Sequence, residues 1–417
     1  MPARGYLKLI SFEEAKTKIL ETVVTVKETE EIKIVSALNR ILAVDIIAPF
    51  DIPSYNDSAM DGYAIQYEDI SEINPSRLKV IGELSAGGYF DKKIEEGQAV
   101  RIMTGATLPE GADTVVIQEV TGQEGEWVTI PPKAAKKWAN IRFQGEDIKQ
   151  GNLILDKGTW IRPQEMGMLA AMGYTTINAF RKLKVAIAST GDELLLPGEK
   201  RPSGKRYDSN RYTLIGLLTQ LGVEIIDLSI IKDDKDVLKK KFAQATNKAD
   251  AIITSGGVSV GQYDLVKEVV NELGNLEFYQ VNVKPGKPVS FGKIGNCYFL
   301  GLPGNPVSVM VSFIKFVRCA LLKMAGYKDY DKIIQFKAKA KFQMTKKDNR
   351  TEFLRGILSQ GKDGWEVTTT GPQGSGILSS MLVANCLMMI LPEQNEIREG
   401  DEVWVEPFRA YPKNSLR

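Results

Sequence analysis

Histidine is absent from this 417-residue chain, and that absence removes whole classes of chemistry. Ser-His-Asp and Cys-His nucleophilic machinery cannot be assembled, and transition-metal centres that depend on imidazole are disfavoured. Acid-base and metal work therefore falls to carboxylates, lysines and hydroxyls. An oxygen-only ligand set suits a hard cation such as Mg2+, held by one or two carboxylates together with substrate phosphates. Cysteine is scarce: Cys297, Cys319 and Cys386 are scattered and odd in number, which speaks against both a disulfide framework and a zinc site. No apolar run approaches the roughly 20 residues of a membrane span, and residues 1–10 lack the long apolar stretch of a secretory signal. A cytoplasmic protein is expected. The net charge of +2 gives no case for nucleic acid or a membrane surface as a partner. No internal repeat or low-complexity tract is visible.

Among what is present, glycine-rich turns carry the most information. The length predicts about three domains, and the apolar share is large enough to bury sizeable cores. The apolar segment Ala251-Ile252-Ile253 empties into Thr254-Ser255-Gly256-Gly257-Val258-Ser259-Val260-Gly261, after which Asp264 is placed to cap an amphipathic helix over 265–273. One such turn is no more than a tight connection, since glycine is the default turn residue. Repetition changes the reading. The run 183–188 precedes Ser189-Thr190-Gly191-Asp192-Glu193, and Asp208-Ser209-Asn210 opens a helix over 211–221 that Gly222 ends. Strand-like runs at 278–283 and 297–300 precede Lys284-Pro285-Gly286-Lys287-Pro288 and Gly301-Leu302-Pro303-Gly304-Asn305-Pro306-Val307-Ser308. In an open, mostly parallel α/β sheet the loops at the carboxyl ends of strands form one ligand-binding rim. Four converging loops of this composition imply an anionic ligand with more than one phosphate and metal-assisted chemistry on it.

The order of segments suggests a chain that leaves and re-enters its domains. Ser11-Phe12-Glu13-Glu14 is a capping box for a helix toward Val24 with Ala15, Ile19 and Val23 on one face, and a second helix is expected over 35–44. From residue 53 to 138 short alternating strands and Gly/Pro turns predict a β-rich insertion, and helical character returns at 163–172. A long apolar helix over 307–324 closes the α/β segment. The clean alternation over 334–342 then begins a small C-terminal β domain, with Lys337, Lys339 and Lys341 on a solvated face.

Six strings add a resemblance. Ser-Ala-Met-Asp-Gly-Tyr-Ala (58–64), Met-Thr-Gly-Ala (103–106), Ser-Thr-Gly-Asp-Glu-Leu (189–194), Ser-Gly-Gly-Val-Ser-Val-Gly (255–261), Lys-Pro-Gly-Lys-Pro (284–288) and Leu-Pro-Gly-Asn-Pro-Val-Ser (302–308) occur in this order. The chain resembles the molybdopterin molybdenumtransferases, the MoeA family, and is similar to the E domain of gephyrin, from about residue 10 to about residue 408. The resemblance implies a homodimer with four parts: a discontinuous helical domain (1–50 and 140–180), an inserted β domain (51–139), an α/β molybdopterin-binding domain (181–327) and a C-terminal β-barrel (328–417). It implies the conversion of adenylylated molybdopterin and molybdate to molybdenum cofactor and AMP, with Mg2+ assisting, among other proteins of the same biosynthesis. Two alternatives stand beside it. A molybdopterin adenylyltransferase would resemble residues 181–326 alone, and a non-catalytic scaffold would use the same fold for clustering.

Site residues follow from both readings. Asp264 and Asp233 are the acids expected to bind the cation or polarise its water, and Glu193 belongs to the same rim. Gly256, Gly257, Ser259, Lys284, Lys287, Pro303, Asn305 and Ser308 are expected on the phosphate or oxyanion, with Pro303 shaping its loop. Cations and donors must hold molybdate, which carboxylates would repel. The resemblance adds Arg350 and Ser379 to that oxyanion site. It also adds Asp61, Thr104 and Asp147 as active-site residues, supplied across the dimer interface. Two choices stay open: Asp147 can be an exposed turn acid, and either Asp233 or Asp234 can simply cap the next helix. The order Asn56-Asp57 and the presence of Gln262 depart from the family's frequent pattern and leave the number of metal-ligating acids open.

Overall fold

Ser11 starts a helix, as its capping box requires, in the computed structural model, which describes residues 9–257 and 265–408. Its hydroxyl accepts the Glu14 N–H at 3.1 Å, and helix Phe12–Thr22 buries Phe12, Ala15 and Ile19 along one face. The helix expected over 35–44 does not form. A single turn at Ile34–Ser36 gives way to Asn39 at φ 60°, and the N–H groups of Asn39 and Leu42 go to the carbonyls of Ile161 and Thr159. β-Branched residues and a left-handed asparagine outweigh the apolar spacing there. Instead, strand Thr29–Lys33 pairs antiparallel with Thr176–Phe180. Among the described residues, α-helix in the flanking segments is confined to Phe12–Thr22 and Pro163–Ala171.

Contacts divide the chain into two units, Asp45–Asp156 with Ala170–Gly173, and the remainder. The first unit holds a six-stranded sheet in the order Thr114–Ile117, Gly62–Ile65, Gln98–Ile102, Ser76–Leu84, Trp127–Ile130, Gly122–Glu124. Its one parallel pairing joins Ser76–Leu84 to Gln98–Ile102. A Cβ on Gly62 would lie 2.0 Å from the Val116 carbonyl oxygen, so only glycine lets this strand pass its neighbour.

The second unit contains the α/β layer and a barrel. Strands Glu224–Ile231, Lys184–Thr190, Ala251–Ser255 and Cys297–Leu302 lie side by side and parallel, and Ser290–Ile294 and Asn275–Phe278 extend the sheet antiparallel. Alternation along one strand shows why both faces are covered: Val185 and Ile187 enter one core, with Leu214 and Leu218, while Ala186 and Ala188 enter another, with Leu238, Phe242 and Val269. The long apolar helix is continuous from Pro306–Ser312 through a π-type turn at Phe313–Val317 to Arg318–Met324. Thr351–Gly361, Gly364–Thr369, Phe336–Ala340, Glu402–Pro407 and Cys386–Ile390 close into a five-stranded barrel. In strand Phe336–Ala340 the alternation holds, with Ala338 and Ala340 inside and Lys337 and Lys339 in solvent.

One strand expectation is corrected. The run 278–283 is not a strand: Asn275–Phe278 ends the sheet edge, and Val283–Lys284 pairs in parallel with Thr351 and Glu352 of the barrel. The lysine turn therefore reaches the site by adding to the barrel, not from the carboxyl end of a parallel strand.

Candidate active site

Three of the four turns do leave adjacent parallel strands. Gly191 follows Lys184–Thr190, Gly256 and Gly257 follow Ala251–Ser255, and Pro303-Gly304-Asn305 follows Cys297–Leu302. All of them line a cleft of about 1210 Å3. That is larger than the roughly 300–1,000 Å3 of a drug-sized pocket and suits an extended, several-part ligand. The turns are tied together: the Gly256 N–H donates to the Leu302 carbonyl at 3.1 Å, and Asn210 Nδ2 donates to Ser255 Oγ and to the Gly304 carbonyl, both at 2.8 Å. Gly256 and Gly257 have φ of +85° and +66°, and a Cβ on either would press against Thr190. Thr190 Oγ1 and Asn210 Oδ1 are buried and have no hydrogen-bond partner among the described residues. Both residues line the cleft. Sequence reasoning saw Thr190 and Asn210 only as turn and cap.

The adjacent aspartates separate cleanly. Asp234 caps helix Lys235–Thr246, its Oδ1 accepting the N–H groups of Asp236 and Val237 at 2.9 Å each, while Asp233 lines the cleft. Partial removal from water, with Asp192 and Glu193 as neighbouring like charges, pushes the Asp233 carboxyl above its ordinary value, against a lowering backbone hydrogen bond. Glu193 also lines the cleft, its carboxylate folded over Gly191. Among the described residues no three acid, histidine or cysteine side chains converge as a metal cage. Ser259, Gln262 and Asp264 lie outside the described residues.

Cations come from the barrel side. Lys284, Lys287 and Arg350 line the cleft together, brought there because Val283–Lys284 pairs beside Thr351. Lys284 Nζ lies 3.2 Å from the buried Glu352 Oε1, and Arg350 Nε donates to Asp348 Oδ2 at 3.0 Å. Lys287 has no ion pair among the described residues. Ser308, Pro303 and Asn305 are on the cleft wall as expected. Ser379 is not: it is exposed ahead of helix Ser380–Val383, and the cleft is lined instead by Gln373, Gly374, Ser375 and Gly376. Asn305 Nδ2 donates to Ser375 Oγ at 2.9 Å. The density of glycine and serine over 371–376, like that of the other rim turns, is the signal that marks this loop.

Asp61, Thr104 and Asp147 belong to the other unit. Asp61 Oδ1 accepts both the Thr104 N–H at 2.7 Å and the Thr104 hydroxyl at 2.8 Å, which lowers its pKa and fixes it as a carboxylate. Two residues far apart in sequence thus form one feature. Asp147 is exposed, in the bend that follows the turn at residues 144–145, where Gly145 has φ +70°. Asp57 is buried and paired with Arg142 Nε at 2.7 Å, while Asn56 Oδ1 accepts the Gln144 N–H, so each residue of the inverted pair has a structural partner.

Comparison with known proteins gives consistent findings. A family model described as the MoeA N-terminal region (domain I and II) matches residues 10–173, one described as a probable molybdopterin binding domain matches 186–323, and one described as the MoeA C-terminal region (domain IV) matches 337–408. A molybdopterin molybdenumtransferase of Haemophilus influenzae is 40% identical over 402 residues, covering 96% of this chain and 99% of its own. Another of that name from Nostoc is 34% identical over 389 residues, covering 91% of this chain and 88% of its own. The crystal structure of a molybdopterin biosynthesis MoeA protein from Pyrococcus horikoshii superposes with a TM-score of 0.84 at 32% identity, covering 96% of this chain and 100% of that one.

Proposed function

The chain belongs to the MoeA family of molybdopterin molybdenumtransferases, and from that membership we infer that it transfers molybdenum from molybdate into molybdopterin. In finer terms we propose that the pterin enters as its adenylylated form and that AMP leaves. Mg2+ takes part, the chain works as a cytoplasmic homodimer, and its partners are other proteins of the same biosynthesis. The observation that carries this reading is the charge layout of one cleft: carboxylates at the ends of parallel strands, and Lys284, Lys287 and Arg350 brought in with the barrel.

The acids fit a hard cation. Partial removal from water, with Asp192 and Glu193 as neighbouring like charges, pushes the Asp233 carboxyl up, and Glu193 lines the same cleft. Magnesium binds in this way, by one or two carboxylates with substrate phosphates completing the shell. Glu193, Asp233 and Asp264 would hold it. Bound there, Mg2+ would neutralise the pyrophosphate oxygens at which AMP departs. The chain's own work is to place the ligands. The glycine turns admit the phosphates to close range, and the Thr190 and Asn210 oxygens accept from the pterin's N–H groups. Lys284, Lys287, Arg350 and Ser308 offer donors to the oxyanion.

Asp233→Asn separates function from stability. In the wild type, falling pH protonates Asp233 at a value above that of an ordinary aspartate, so the Mg2+ concentration for half-maximal turnover rises early in acid. A raised folded pKa also means that the charged form is a burden to the fold above it, and stability declines as pH climbs through that window. The asparagine variant is therefore expected to turn over poorly, to lose this acidic limb, and to melt no lower than wild type at pH 7. Normal turnover in it removes Asp233 from the site. Asp61→Asn tests the unit formed by Asp45–Asp156: the variant keeps the Thr104 contact yet loses the fixed charge, and we expect a loss of turnover on the order of 10²-fold. A variant that turns over like wild type excludes a chemical role for Asp61.

The adenylyltransferase alternative is distinguished by its substrate. That activity consumes ATP and releases pyrophosphate, whereas the proposed one consumes adenylylated pterin and needs no ATP. The matches at 10–173 and 337–408, outside the shared α/β part, favour the second.

A further inference from the structure

Between strand Lys184–Thr190 and helix Ser209–Gln220 the chain makes an excursion over residues 191–208, and its second half is basic. Lys200, Arg201, Lys205 and Arg206 are four cations within seven residues that include no acid, on a chain whose overall charge is only +2. Lys200, Arg201 and Arg206 are exposed, and their side chains have no ion pair or hydrogen bond among the described residues. Lys205 instead donates to the Asp192 carbonyl. The excursion is pinned to the rim of the cleft. Arg206 and Tyr207 pair in parallel with Leu194 and Leu195, the Arg206 N–H donates to the Glu193 carbonyl at 2.9 Å, and the Asp208 N–H to the Leu195 carbonyl at 2.9 Å. The Tyr207 hydroxyl donates to the Glu199 carbonyl at 2.8 Å, which holds the chain just before Lys200 against a residue of the cleft wall. Arg206 is itself on that wall.

The acids at this end of the cleft give the cations their use. Asp192 Oδ1 accepts the Asp233 N–H at 3.3 Å, and Glu193 and Asp233 both line the cleft, so a ligand that carries phosphates meets like charge as it approaches. Glu199 adds a further acid, its carboxylate turned back to accept the Leu196 N–H at 3.0 Å. Fixed cations at the mouth offset that repulsion, and a patch of one sign there raises the rate at which a ligand of the other sign arrives. Screening restricts the effect to charges within about 8 Å at physiological salt, a condition that a residue on the cleft wall meets. We propose that Lys200, Arg201 and Arg206 form an electrostatic capture patch that speeds the entry of adenylylated molybdopterin, a polyanion, into the cleft. The patch acts on the arrival of the substrate and not on its chemistry. The assignment rests on the reading that the adenylylated pterin is the substrate.

The test is stopped-flow association of adenylylated molybdopterin with the full chain, followed by pterin fluorescence from about 0.01 M to about 1 M salt, over which the screening length falls from about 30 Å to about 3 Å. In the wild type the association rate should fall steeply as salt is added. The triple variant Lys200→Gln, Arg201→Gln, Arg206→Gln is expected to associate roughly ten-fold more slowly at the lowest salt, to depend less on salt, and to meet the wild type near 1 M. Arg206→Gln alone should show part of that loss. Arg201→Lys with Arg206→Lys keeps the charge and should stay within about two-fold of wild type throughout, since steering needs a charge and not a forked donor. An unchanged association rate in the triple variant overturns the assignment. Equal slowing at every salt concentration also overturns it, because that is the mark of a displaced excursion, as does a loss in the charge-preserving variant. A wild type that fails to bind adenylylated molybdopterin sinks the functional reading itself, whereas one that binds it at a rate indifferent to salt sinks only the capture patch.

Discussion

Gly257→Ala is expected to lose substrate binding by on the order of a hundred-fold, the scale on which small misplacements of a binding constellation act. The reason is steric and local. At φ +66° an alanine carries a left-handed cost of about 1–2 kcal/mol, and its Cβ would also lie 2.4 Å from Val266 Cγ2 and 2.5 Å from Thr190 Oγ1. Neither neighbour can yield cheaply. Val266 packs in the core beneath the turn, and Thr190 offers one of the buried acceptors on the cleft wall. Equilibrium binding of adenylylated molybdopterin, with thermal melting as the companion readout, measures both effects. Gly304→Ala is the internal control, because its nearest neighbour would be Gly256 Cα at 3.8 Å, an ordinary contact. Its stability should stay within about 0.5 kcal/mol of wild type. Wild-type binding by Gly257→Ala would mean that this turn does not approach the ligand.

Arg350→Ala should raise the molybdate needed for half-maximal rate by about ten-fold or more, the equivalent of about 1.5 to 3 kcal/mol of charge-assisted hydrogen bonding. Arginine presents two parallel donors to an oxyanion, and its resting partner is Asp348, which holds the guanidinium beside the cleft and raises its pKa further. Removing the arginine does two things at once: it deletes the donors and leaves the Asp348 carboxylate uncompensated beside a dianion. Pterin binding should change far less. A molybdate titration at saturating pterin substrate reads the difference, and an unchanged half-saturation point would make Arg350 an ordinary barrel arginine.

Local chemistry made much of this molecule legible from its sequence. The Ser11 cap, the glycines that end strands, and the alternation around Ala338 each depend on a few adjacent residues, and each formed as its chemistry required. What stayed hidden depends on partners far away in the chain. The apolar residues of 35–44 look helical until the carbonyls of Thr159 and Ile161 capture their amides. The lysine turn appears to follow a sheet strand, but its strand adds to a barrel that begins more than fifty residues later. Asp233 and Asp234 are indistinguishable as letters, and only the helix that starts at Lys235 decides which one caps. Ser379 and Ser375 are likewise indistinguishable as letters, and only the fold shows that the loop at Gln373–Gly376 lines the cleft while Ser379 is exposed beside it.

The central claim is molybdenum transfer at this cleft, and one measurement bears on it most directly: AMP release by the purified chain supplied with adenylylated molybdopterin and Mg2+, with and without molybdate. The account predicts AMP formed in step with molybdenum bound to pterin when molybdate is present, and little without it. AMP release that ignores molybdate, or none under either condition while the folded chain binds the pterin, would contradict it.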